Sequence, residues 1–216
     1  MTAPWRLIWM STQAFAAPTP AEPAPDGSMT IAAEVACPSS VRALAGVDFT
    51  DPRLHTETLV VVMKSARRIM RFTNGKLLHS KGSGAACWAI GLGPSPEGHK
   101  QQEGDGKTPE GWYRSSDKPW SQWYAAIAIH YPNQRDISDA VSGHRVAPDL
   151  ASAMTRALKQ DKKPAQTSPL GGEILIHGGG SSTDWTLGCI ALQNSDIDAL
   201  RATLPTAMVT DVLILP

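Results

Sequence analysis

Apolar positions cluster with strand spacing through most of the chain. Leu59-Val-Val-Val-Met63 is a continuous apolar run of buried-strand length. Arg67 to Thr73 alternates polar and apolar, Asn74-Gly75 follows, and Lys76 to Ser80 resumes the pattern. Asn-Gly between two such runs predicts a hairpin, because both turn positions require positive φ. Ala86 to Ile90, Trp123 to Tyr131, Ile174 to Ile176 ending on His177, Ile190 to Leu192 and Met208 to Leu215 read as further strands. Helical spacing occurs twice: Leu150, Met154 and Leu158 within Pro148 to Gln160, and Ile197, Leu200 and Leu204 after a cap at Asn194 or Ser195. Ser39-Ser40 before Val41 is placed to open a short helix, and His130-Tyr-Pro-Asn133 is a turn. There is no regular strand–helix–strand alternation. The pattern therefore predicts a mainly β domain with a few helices, not a parallel doubly wound sheet.

The ends and the middle differ from this pattern. Residues 1–28 read as a leader-like segment and linker: a short apolar patch, Leu7 to Met10, then Ala14-Phe-Ala16, then the Pro/Ala-rich run from Ala17 to Pro25. Residues 29–57 form an N-terminal extension with no clear periodicity, and 58–216 the main domain. Gly91 to Tyr113 is dense in glycine and proline; so long an irregular stretch inside a domain is expected to serve function, the plain alternative being a solvated loop. Its glycines do not have phosphate-loop spacing.

Composition narrows the function classes. The chain has 216 residues, 42% of them hydrophobic, and 20 basic residues cancel 20 acidic ones. No basic stripe suggests nucleic acid, and no apolar stretch has the length of a membrane span. The three cysteines are Cys37, Cys87 and Cys189. With Cys189 left free in its glycine turn, Cys37–Cys87 is the one remaining pairing; the alternative is two small buried side chains.

The chemistry concentrates in Glu173 to Leu192. His177 ends a short apolar run, three glycines and a polar loop follow, and Thr186-Leu-Gly-Cys189 leads back into apolar sequence. A histidine and a cysteine that a loop can return to one place are the parts of a Cys/His nucleophile pair. A thiol attacks only as thiolate, so it needs a base or N–H groups aimed at sulfur. The implied reaction is acyl transfer: attack on a carbonyl, a thioester, then attack by an amine or water. The structural alternatives are a packed small cysteine and a core histidine. Zinc needs three or four ligands at recognisable spacing, and only His177, Cys189 and His130 are placed for it, so no metal or cofactor is expected.

Ile176-His-Gly178 followed by Thr186-Leu-Gly-Cys-Ile190 resembles the signature of the L,D-transpeptidase catalytic (YkuD) domain. Gly98 to Tyr113 and Tyr131-Pro-Asn-Gln-Arg-Asp136 are similar to two further stretches of that family, in the family's order, and Asp184-Trp-Thr-x-Gly-Cys-Ile190 is similar to a subgroup. The resemblance implies a mainly β sandwich or barrel with the cysteine in a cleft. It implies peptidoglycan stem peptides as substrate and a periplasmic or wall-associated, exported protein. The acceptor would be an amine from a second stem peptide, a D-amino acid or a lipoprotein lysine. By position, Cys189 is the nucleophile, His177 the base, and Gly178 the residue whose carbonyl orients the imidazole; Leu187 and Gly188, with Cys189, supply the oxyanion backbone. Tyr131, Asp184, Trp185, Thr186, Lys100 and Asp105 are candidates to contact substrate, with Thr108 beside them; several would serve equally to hold the long loop. His55, His79, His99 and His144 read as solvated and His130 as structural. The sequence departs from the family's common pattern where Thr186 stands for Ser, Leu187 for His and Ala191 for Arg or Asn. Hydrolysis of muropeptides on the same scaffold is therefore the alternative to transfer, and a non-catalytic wall-binding domain the third reading.

Overall fold

The computed structural model describes residues 37–80, 84–205 and 209–216; the expected leader, the first part of the extension and Met208 lie outside the described residues. The strands in chain order are β1 (Leu59–Met63), β2 (Arg68–Thr73), β3 (Lys76–Leu77), β4 (His79–Ser80), β5 (Gly84–Ala85), β6 (Cys87–Ala89), β7 (Gly111–Ser121), β8 (Tyr124–Ile129), β9 (Leu175–His177), β10 (Ile190–Ala191) and β11 (Thr210–Leu215). The helices are α1 (Gln134–Ser142), α2 (Pro148–Leu158) and α3 (Asn194–Ala202), with short 3-10 turns at Val41–Ala43 and Pro52–His55. The apolar runs thus become strands and the fold is mainly β. The β2–β3 hairpin turns on Asn74 at φ 49° and Gly75 at φ 76°, the positive values that the dipeptide predicts.

Nine strands form one mixed sheet in the order β10-β9-β8-β7-β11-β1-β2-β3, with β6 also paired to β2. Past β6 the chain reaches Gly91, which exchanges two hydrogen bonds with Ala191 on β10, at 2.9 and 2.8 Å. The ladder therefore closes on itself. Register sorts the side chains onto two faces. Val60, Val62, Tyr113, Ile127, Ile129, Ile176, Val212 and Ile214 share the inner core with Ile137, Met154, Ile197 and Leu200 of the helices. The outer face carries two separate apolar patches. One is Leu59, Val61, Met70, Phe72 and Leu213, covered by Val41, Leu44 and Leu54 from the segment before β1. The other is Ala126, Ala128 and Leu175, with Cys189 packed against it. Cys37 and Cys87 form a disulfide, which clamps the covering segment to β6.

Three elements differ from the sequence expectation. The eleven-residue β7 and the whole of α1 carry too few apolar positions for periodicity to reveal them. α1 opens on a capping box: the Asn133 side chain accepts from Asp136 N and Asp136 from Asn133 N. α3 is not capped by Asn194 or Ser195; its N-cap is Gln193, with no side-chain bond. Asn194 instead turns its Oδ1 to accept the Gly179 N–H at 2.9 Å, on the loop after His177.

Candidate active site

β9 and β10 are parallel neighbours, with Ile190 opposite Ile176 and Ala191 opposite His177. This register puts Cys189 level with Leu175, one side-chain step from His177 on the outer face. Both residues line a cleft of about 620 Å³, walled also by Trp123, Glu173, Trp185, Leu187 and Lys100.

His177 is 1% exposed. Its Nδ1 lies 2.5 Å from the Gly178 carbonyl. A carbonyl only accepts, so Nδ1 carries the proton and Nε2 is left with its lone pair. Burial pushes the imidazole below its usual pKa, the Gly178 carbonyl partly opposing. The ring therefore rests neutral at pH 7, ready to accept a proton.

Cys189 is the free cysteine among the described residues. Its thiol donates to the Glu173 carbonyl at 3.3 Å and accepts the Leu175 N–H at 3.4 Å. Burial pushes the thiol up, the Leu175 N–H pulls it down, and the Glu173 carboxylate adds to the rise. Thiol and imidazole thus rest as a neutral pair, with the sulfur turned to the backbone before β9. Glu173 itself holds a left-handed φ of 51°. Lys118, at 2.5 Å, and Lys163, at 2.9 Å, grip its carboxylate, and Gln166 accepts its N–H at 2.7 Å.

The turn that leads into Cys189 is held by two threonines. Thr186 Oγ1 donates to the Cys189 carbonyl at 2.8 Å and accepts the Gly188 N–H at 3.2 Å. Thr108 Oγ1 donates to the Gly188 carbonyl at 2.9 Å. Gly188 sits at φ 125°, and a Cβ there would meet the Lys107 carbonyl at 2.6 Å. Only glycine fits.

The family model of the L,D-transpeptidase catalytic domain (YkuD) matches residues 57–214. The chain belongs to that family. No curated protein matches it. Among solved structures the chain is similar to Pgp2 of Campylobacter jejuni, a helical cell shape determining protein: 26% identity, 73% of this chain and 46% of that one, TM-score 0.44. It is similar to Bd1075 of Bdellovibrio bacteriovorus at 20% identity, over 83% of this chain and 53% of that one, TM-score 0.43. An L,D-transpeptidase from Mycobacterium tuberculosis H37Rv follows at 12% identity, over 74% and 58%, TM-score 0.38. The chain spans about half the length of the first two.

Within this L,D-transpeptidase-type domain, the residues expected at the site divide. Cys189, His177, Trp185, Thr186, Leu187 and Lys100 line one cleft. Tyr131, Asp184 and Asp105 are bonded within the scaffold, and Lys100 lines the cleft while also bonding Asp105. Tyr131 is fully buried, its hydroxyl donating to the Leu170 carbonyl at 3.2 Å. Asp184 is gripped by Arg67 at 2.7 Å and accepts the Leu92 N–H at 2.8 Å, so its carboxyl is held below the usual range, Arg67 being the main cause. Lys100 and Asp105 bond each other at 2.9 Å. Asp105 also takes the N–H groups of Gln101, Gln102 and Lys107, closing the long loop. The Gly188 N–H, expected at the oxyanion, is taken by Thr186. His99 is half-buried and bonded on both ring nitrogens: it accepts the Glu110 N–H at 2.9 Å and meets Asp136 at 3.0 Å. His130 is buried and bonded to Ser116 at 3.0 Å. The residue that sequence reading missed is Trp123, whose ring lies against His177 at the tip of the β7–β8 hairpin. The sequence places Trp123 only as the first residue of the run Trp123 to Tyr131 and carries no signal for its stacking on His177.

Proposed function

We propose that the domain is a cysteine acyltransferase acting on peptidoglycan stem peptides. Cys189 attacks the donor carbonyl while His177 Nε2 takes the thiol proton, and the Gly178 carbonyl holds the imidazolium that forms. For this the sulfur turns from the Glu173 carbonyl toward His177, a rotation about one side-chain torsion. The tetrahedral oxygen is then held by backbone N–H groups of the Leu187–Cys189 turn; with Gly188 bonded to Thr186, the candidates are the amides of Leu187 and Cys189. The amine of the departing residue takes the proton from His177 and leaves, and a thioester remains on Cys189. An amine acceptor, from a second stem peptide, a D-amino acid or a lipoprotein lysine, resolves it and yields the transfer product.

The observation that carries this reading is the pinned, neutral imidazole in one cleft with the free thiol, on adjacent strands of fixed register. Membership of the family supplies the substrate class. The Cys37–Cys87 disulfide fits an oxidising compartment, and we place the protein outside the cytoplasm, at the cell wall. Among the described residues no helix is long and apolar enough to cross a membrane.

The test uses disaccharide-tetrapeptide with and without an amine acceptor, read by mass. Wild type forms dimers or exchanged products through a covalent adduct on Cys189; Cys189→Ala forms neither. Water in place of the amine gives shortened peptides alone, and that outcome assigns the domain to L,D-carboxypeptidase or endopeptidase chemistry. Turnover by Cys189→Ala would remove the thioester mechanism altogether.

A further inference from the structure

His177 is 1% exposed although it lines an open cleft. Its cover is aromatic. Trp123 lies against the imidazole face with centroids 6.0 Å apart and planes at 28°. Trp185 meets the ring edge-on at 5.5 Å and 73°, and the two indoles touch at 5.2 Å and 65°. The tryptophans are held very differently. Trp185 Nε1 donates to the Gly180 carbonyl at 3.0 Å, and its neighbour Asp184 is tied to Arg67. Trp123 sits at a hairpin tip, 42% exposed. Its backbone N–H donates to Ser121 Oγ at 3.1 Å, and the next residue, Tyr124, has a left-handed φ of 77° and bonds Asp198 at 2.7 Å. So exposed an indole adds little to the core, yet it completes the enclosure of the base.

A base must present one nitrogen in one direction. The hydrogen bond from Nδ1 to the Gly178 carbonyl fixes one point of the imidazole. It does not fix the plane of the ring. A stacked ring does, and the two constraints together hold Nε2 on one heading.

We propose that Trp123 is a positioning residue for acyl transfer: the indole at the hairpin tip is the wall that holds the plane of the His177 imidazole and keeps water from it. The proposal rests on the Cys189/His177 reading above. It accounts for an exposed tryptophan placed on a turn where glycine or asparagine is usual. The titratable and charged groups around the imidazole and its cleft are Cys189, Tyr124 with Asp198, Lys118 with Glu173, Arg67 with Asp184, Lys100 with Asp105, and Glu103. The causes acting on the imidazole itself are burial and the Gly178 carbonyl, so opening the wall is what changes its titration.

The experiment compares full-length wild type with Trp123→Ala and Trp123→Phe. The titration of the His177 ring is followed by NMR with ¹³C-labelled histidine, alongside pH profiles of kcat and KM. In Trp123→Ala the His177 midpoint rises toward the ordinary value of about 6.5. The acidic limb of kcat/KM moves up with it, and kcat at neutral pH falls by about 10- to 100-fold with KM nearly unchanged. Trp123→Phe keeps a flat wall and stays close to wild type in both readouts. An unshifted His177 titration with an unmoved acidic limb in Trp123→Ala overturns the proposal, and so does a phenylalanine variant as impaired as the alanine one. The NMR readout needs no turnover. Failure of the Cys189 mechanism, seen as an active Cys189→Ala, is thus told apart from failure of the Trp123 wall.

Discussion

The two apolar patches on the outer face of the sheet start from the same register and end in opposite roles. At β1, β2 and β11 the outward side chains are large, and Val41, Leu44 and Leu54 cover them. At β8 and β9 they are Ala126, Ala128 and Leu175, two of them small, all of them buried, with Cys189 packed against them. Large side chains under a cover make core: Leu54, fully buried, contributes about 1.5–3 kcal/mol by leaving water. The second patch is thin, and Cys189 at its edge lines the cleft. The chain spends its N-terminal segment and its disulfide on the first patch, and sets its cleft beside the second. The difference teaches that stability and chemistry are separable here, although one sheet carries both.

That separation can be broken or sharpened experimentally. The largest effect is expected from Cys189→Ala, which lowers turnover by four or more orders of magnitude. It leaves the thermal midpoint within a few degrees of wild type; an unfolded variant would mean that the packing of Cys189 on Ala126, Ala128 and Leu175 carries the fold. Next is the clamp on the covered patch. Cys37→Ser with Cys87→Ser releases a link between residues 50 apart and costs about 2–4 kcal/mol in denaturant unfolding. The rate of the folded fraction stays as it was, and a lost rate in folded protein would couple the two patches.

A third probe is pH. Burial pushes His130 down to about 4, with Lys163 and Arg114 adding and Asp161 opposing. The unfolded chain takes up that proton near pH 6.5, so between about 6.5 and 4 the unfolded state binds more protons and stability falls as pH is lowered. The loss is about 2–3 kcal/mol across the window, and urea titrations of His130→Gln should show a flatter slope there. The smallest effect on stability belongs to Leu187→Ser. Leu187 is 84% exposed at the cleft mouth, so its removal changes stability by less than about 0.5 kcal/mol while KM rises.

The elements that bury one side chain in two, or a whole run, were legible in the sequence: β1, the Asn74-Gly75 hairpin, α2 and the β9 run into His177. β7 was not, because the inner position between its apolar residues is Ser115, whose hydroxyl donates to the Thr210 carbonyl at 3.2 Å instead of packing as a hydrocarbon. α1 hid its start in side-chain bonds at Asn133 and Asp136 rather than in periodicity. At the site, residue type and order pointed to the Cys189 and His177 segment. They could not tell which polar groups face the cleft and which are consumed holding it, since Asp184, Asp105, Lys100 and Thr186 find their partners only in the folded chain. Trp123 was unreadable for a related reason: its role lies in what it stacks on.

Gly91 and Ala191 have a bearing beyond architecture. β10 is only two residues long and ends the strand order, so it would form a bare sheet margin, the kind of border on which foreign strands polymerise. Gly91 occupies that margin, and a Cβ on it would meet the Thr183 carbonyl at 2.4 Å, so no larger residue can lie as close. At the opposite margin Leu77 donates to the Ser39 carbonyl at 2.9 Å. Each border strand is thereby occupied by the chain's own backbone, which guards the strand that follows Cys189 against being recruited into aggregates.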